Sequence, residues 1–114
     1  MSVSSGIWTF PQTGIYNIIA TFNIFTGSSD DALNQVRMYA TDDGSTYANT
    51  AMWRSGSIDN NIHASITNNY VIDVDNISNV KFYFDLGSFS QDSYVVGQSD
   101  FGTSSVTIIR LGDT

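Results

Sequence analysis

Residues 8–16, Trp8-Thr9-Phe10-Pro11-Gln12-Thr13-Gly14-Ile15-Tyr16, hold the only proline of the 114-residue chain. Pro11 lacks a backbone donor and fixes φ, so the extended segment carrying Trp8 and Phe10 ends there. Gly14 accepts dihedrals that other residues resist, which suits the start of a new segment. From residue 15 to 25 the pattern has period two, with Tyr16, Ile18, Ala20, Phe22 and Ile24 on one face. The stretch predicts a strand, a sharp corner and a long strand.

Composition extends the same reading to the whole chain. Glutamate is absent and lysine occurs once, while Val, Ile, Thr, Tyr and Phe abound. Strand formers therefore outweigh helix formers, and the chain is expected to be all-β. Its length suits a single domain over 1–114. Charged residues make up 13%, about half the usual share of roughly 25%, so the surface is read as rich in hydroxyls and amides. No cysteine is present, which excludes disulfides and thiolate metal sites and leaves oligomerisation as a route to stability.

Charge narrows the partners. The net charge is −7, and Lys81, Arg37, Arg54 and Arg110 are scattered along the chain. Nucleic acid is excluded on that ground, because phosphate binding needs clustered cations. No apolar run approaches the roughly 18 residues of a membrane-spanning helix, so no membrane insertion is expected.

Outward from the corner, strand-like segments alternate with turn clusters, the pattern of a sandwich or barrel. Segment 35–41 sets Val36, Met38 and Ala40 against Gln35, Arg37 and Tyr39. Asp42-Asp43-Gly44-Ser45 is a hairpin signal, since Asp-Gly accepts positive φ, and segment 47–54 returns. Segments 62–67 and 70–75 read as two strands divided by a turn or bulge at Asn68-Asn69. Segment 80–86 sets Val80, Phe82, Phe84 and Leu86 against Lys81, Tyr83 and Asp85. A Ser/Gly/Asp loop with an island at 94–96 leads to the last strand, 105–111.

Two strands are apolar on both faces. Ile15, Ile19 and Phe25 oppose the predicted core face of the long strand, and Ile109 and Leu111 oppose Val106 and Ile108. A half-solvated antiparallel strand should not look like this. Either other parts of the same chain cover these residues, or a second subunit does.

Chemistry is sparse. His63 is the single histidine, and no Gly-x-Ser-x-Gly elbow accompanies the many serines. The residues argue against an enzyme. The aspartate pairs Asp30–Asp31 and Asp42–Asp43 lie where turns favour Asp, yet carboxylates and loop carbonyls are also the ligands calcium prefers. Trp8, Phe10, Tyr16, Phe22, Phe82 and Phe84 lie on packing faces. Tyr39, Tyr47, Trp53 and Tyr94 are nearer turns or polar faces. Their rings could pack on sugar C–H groups while neighbouring amides read hydroxyls; structural packing is the competing role.

The aromatic-Thr-Phe-Pro-x-x-Gly-Ile-Tyr corner resembles the signature of the C1q-like head domain, and the order of later segments over residues 7–111 is similar to that family. The resemblance implies an antiparallel jelly-roll β-sandwich, C1q/tumour-necrosis-factor-like, assembled as a homotrimer. Ile15, Ile19, Phe25, Ile109 and Leu111 then become candidate interface residues. It also implies that calcium, the candidate cofactor, could sit near the three-fold axis on Asp30, Asp31, Asp42 or Asp43. Family members carry an edge strand before the corner, whereas six residues precede Ile7 here, so that first edge strand is expected to be missing, truncated or supplied otherwise.

The Asn/Ser/Thr-rich texture, the 41–47 hairpin and the closing Ile109-Arg110-Leu111-Gly112-Asp113-Thr114 resemble C1q-like modules of phage virion proteins. The implied location is the virion, outside the cell. The implied function is a non-enzymatic binding module at the C-terminal end of a fibre or appendage, recognising a host-surface glycan or protein. The alternative is a structural trimerisation or capsid decoration protein whose partners are itself and other virion proteins.

Overall fold

At the corner, Pro11 and Gly14 carry the chain out of one sheet and into another. The computed structural model describes residues 1–31, 34–87, 89, 92–98 and 102–114. In chain order the strands are β1 (Ser2–Ser4), β2 (Ile7–Thr9), β3 (Gly14–Phe25), β4 (Asn34–Thr41) and β5 (Ala48–Ser55). They continue as β6 (His63–Val74), β7 (Lys81–Gly87), β8 (Tyr94–Val95) and β9 (Ser105–Gly112). The described residues contain no helix, and every paired strand is antiparallel.

The first sheet runs β1-β2-β7-β4-β5. In the second, β3 is flanked by β6 on one edge and by β9 and β8 in succession on the other. The two sheets face each other as a β-sandwich. Along β3 the burial alternates without a break, and Tyr16, Ile18, Ala20, Phe22 and Ile24 are its inward residues as the pattern predicts. They meet Val36, Met38, Trp53, Val80 and Phe82 in one core. Each fully buried large apolar side chain contributes about 1.5–3 kcal/mol, against about 0.2–1 kcal/mol for a cross-strand pair. Inward packing therefore sets the register, and the outer faces are left for other uses.

The corner is fastened from both sides. Phe10 packs at 4.8 Å on the Tyr16 ring and at 5.7 Å on Phe82. The Tyr16 hydroxyl donates to the Gln12 carbonyl at 2.8 Å. A Cβ on Gly14, where φ is 147°, would stand 2.6 Å from the Gly112 carbonyl oxygen.

One element differs from expectation. Asn68 and Asn69 do not interrupt a strand: β6 is continuous and pairs them with Ala20 and Ile19. Asn68 Nδ2 donates to the Met52 carbonyl at 3.0 Å, and the Asn68 carbonyl accepts from Trp53 Nε1 at 3.2 Å. The unbroken partner β3 offers a ladder along this whole length, and that overrides the weak strand propensity of asparagine. In addition, residues ahead of Ile7 form β1, turned back on β2 through Ser5 and Gly6 at φ 50° and 78°. β1 is the edge of the first sheet.

Candidate functional site

The outer face of the first sheet carries side chains that the core does not need. Antiparallel pairing of β4 with β7 sets Tyr39 opposite Tyr83 and Arg37 opposite Asp85. The Tyr39 and Tyr83 rings stack at 5.3 Å with an interplanar angle of 8°. Tyr47 leans on Tyr83 at 5.1 Å. The Arg37 guanidinium lies 5.5 Å from the Tyr39 ring centroid and pairs with Asp85. All three tyrosines are half-buried, and their mutual packing makes one contiguous aromatic platform.

The β4–β5 turn delivers Tyr47 to this platform. Asp43 Oδ1 accepts from the backbone N–H of Thr46 at 2.7 Å and of Ser45 at 2.8 Å, and from Thr41 Oγ1 at 2.9 Å. These bonds, led by the backbone donors of Thr46 and Ser45, hold the Asp43 carboxyl far below the usual carboxylate range. Gly44 supplies the positive φ of 85°. The carboxylate is a turn-forming group here.

Beside the platform runs an open groove of about 500 Å³. Ile7 and Tyr47 give it apolar walls, Lys81 gives it a cation, and Ser4, Thr9 and Ser45 give it hydroxyls. A second cleft of about 480 Å³ lies between the same turn and β6. Its chemistry is opposite: Ala40, Tyr70, Ile72 and Val80 line it together with the carboxylates of Asp42, Asp43 and Asp73.

The four aromatic candidates divide three ways. Tyr39 and Tyr47 come together through Tyr83. Trp53 is 1% exposed, its Nε1 donating to the Ala20 carbonyl at 3.0 Å, so its ring belongs to the core and offers no ligand surface. Tyr94 sits on the other sheet, 53% exposed and packed on Phe25 at 5.5 Å. Tyr83 escaped the sequence reading, although a signal existed. The polar-side series Gln35/Arg37/Tyr39 and Lys81/Tyr83/Asp85 become complementary only when aligned antiparallel, ring on ring and cation on anion.

The aspartates do not assemble. Asp30 Oδ1 accepts from the Asn60 N–H at 2.8 Å, Asp31 is buried and bridges Ile58 through its backbone, and Asp42 is exposed beside Asp43. Among the described residues no group of three or more carboxylate or imidazole side chains is placed to hold a metal ion. Within one chain Asp30, Asp31 and Asp43 serve turns and loop closure. His63 Nδ1 lies 3.0 Å from Asn23 Oδ1 and its ring packs on Phe25 at 4.7 Å.

Ile15, Ile19 and Phe25 lie half-buried on the outer face of the second sheet. Ile109, on the adjoining β9, is 46% exposed and stands opposite Asn17; Leu111, in the bulge opposite Ile15 and Tyr16, is 59% exposed. Val71 on β6, also opposite Asn17, is 49% exposed and joins the same apolar end. Among the described residues, neither sheet covers that face.

Comparison with known protein families, curated proteins and solved structures finds no match.

Proposed function

We propose that this chain is a non-enzymatic binding module of the C1q-like jelly-roll kind, trimeric in a phage virion, which recognises a host-surface glycan. The observation that carries the reading is the Tyr39–Tyr83–Tyr47 platform on the outer face of the first sheet. Partly exposed aromatic rings suit the C–H surfaces of sugars, and the Arg37–Asp85 pair beside them presents both a donor and an acceptor for hydroxyls. The trimer part of the reading draws support from the uncovered apolar end formed by Ile15, Ile19, Val71, Ile109 and Leu111. Three copies of a weak site would act together on a multivalent surface.

Glycan-array and whole-cell binding test this function. Tyr83→Ala is expected to lower binding at least ten-fold while circular dichroism and melting stay close to wild type, and Tyr39→Ala should act in the same direction. A wild-type protein that binds no glycan and no host cell overturns the reading in favour of a purely structural virion role. So does binding that survives both substitutions unchanged.

A further inference from the structure

We infer that the groove beside the tyrosine platform selects a sugar bearing a carboxylate, with Lys81 as the group that reads the negative charge. The inference rests on the glycan reading above and names the ligand class of that same face.

Lys81 is the only lysine of the chain, and the other cations are engaged. Arg37 pairs with Asp85, Arg110 pairs with Asp113, and Arg54 Nε donates to Gln35 Oε1 at 3.1 Å. Among the described residues no carboxylate lies within ion-pair reach of the Lys81 ammonium. The groove lining likewise contains no carboxylate, only Lys81, hydroxyl-bearing residues, Gly44, Ile7 and Tyr47. For a chain of net charge −7, this is a local reversal of sign. The second cleft, with three aspartates, would repel the same ligand.

Spacing fits a sugar. Lys81 and Tyr83 are same-face neighbours on β7, about 7 Å apart along the strand. A carboxylate held at Lys81 therefore sets its own pyranose ring against Tyr47 and Tyr83. Further rings of the chain would then run toward Tyr39. Thr9 stands cross-strand from Lys81, and with Ser4 and Ser45 it supplies both donors and acceptors for ring hydroxyls. An ammonium contact to a carboxylate is stronger than a neutral hydrogen bond, so charge is what separates acidic from neutral glycans at this groove.

The test compares a uronic-acid trisaccharide with its carboxyl-reduced neutral counterpart, titrated into the full chain by isothermal calorimetry or amide chemical-shift perturbation. Wild type is expected to prefer the acidic form about ten-fold, with the preference shrinking as salt rises. Lys81→Gln should erase the preference and leave affinity for the neutral form near its wild-type value. Equal binding of the two forms by wild type overturns the inference while the glycan reading stands, as does a preference that persists in Lys81→Gln. Failure of both sugars to bind wild type, together with a blank glycan array, overturns the glycan reading itself.

Discussion

Asp43 shows how one side chain can shape a surface by organising a turn. Its Oδ1 gathers the N–H groups of Ser45 and Thr46 and the Thr41 hydroxyl, and so fixes the turn that places Tyr47 against Tyr83. Because its folded-state pKa is lowered from the ordinary 3.8, the unfolded chain takes up a proton first as pH falls. The stability that Asp43 contributes is thus present above about pH 4–5 and lost progressively below it. Asp43→Asn removes this titration while keeping an oxygen that can accept from the turn. Urea-unfolding midpoints of wild type are expected to fall more between pH 6 and pH 3 than those of Asp43→Asn. Equal falls would show that the carboxylate charge is not what holds the turn. At this scale Trp53 is the counterexample: an aromatic near a turn in sequence, and wholly internal in space.

Among the elements, the corner between β2 and β3 is the least replaceable. Gly14 combines a φ of 147° with a space already bounded by the Gly112 carbonyl and by Arg110 Nε, the latter 2.5 Å from where a Cβ would lie. Arg110 Nε in turn donates to the Thr13 carbonyl at 3.1 Å, tying the start of β3 to the end of β9. Gly14→Ala must strain the backbone and displace β9, and is expected to lower stability by about 2–3 kcal/mol. Thermal melting checks this, with Gly102→Ala, where a Cβ meets nothing within 4 Å, as the control that should stay near neutral. The corner, the alternation of β3 and the 42–45 turn were all legible in residue order. Local sterics act over a few residues and leave their mark there. The continuity of β6 was not legible, because two adjacent asparagines read locally as a turn and only the ladder with β3 keeps them extended.

For the whole molecule the question is what covers the outer face of the second sheet. A cross-strand polar series runs along it: Asn69 Nδ2 to Asn17 Oδ1 at 3.0 Å, Thr21 with Thr67 at 2.8 Å, and Asn23 Nδ2 to Ser65 Oγ at 3.1 Å. The apolar residues fall into two groups, the first surrounding Asn17. Ile15, Ile19, Val71, Ile109 and Leu111 gather at one end, whereas Phe25 lies about 20 Å from Ile19 along β3, with Tyr94 and His63. The five candidate interface residues are therefore two groups in space. If the trimer forms through the first group, Ile109→Asp places three charges near one axis and should dissociate it. Light scattering is expected to give three times the 12.5 kDa chain mass for wild type at micromolar concentration and a single chain for Ile109→Asp. A wild-type monomer would remove the trimer from the proposal.

The amino-acid sequence by itself determined the all-β class, the position of the sharp corner, the inward face of β3 and the absence of clustered cations. These follow from composition, from a period of two, from the local sterics of Pro11 and Gly14 and from the spacing of the cations, all of which survive in a one-dimensional string. Tertiary structure alone decided that Tyr39, Tyr47 and Tyr83 form one platform, that Trp53 belongs to the core, and that Lys81 stands in a groove without a carboxylate. Tyr39 and Tyr83 are separated by dozens of residues and meet only because β4 pairs with β7 in one particular register. That register is set by burying Val36, Met38 and Phe82 on the opposite face. The site is thus a by-product of how the core packs, and no local pattern could announce it.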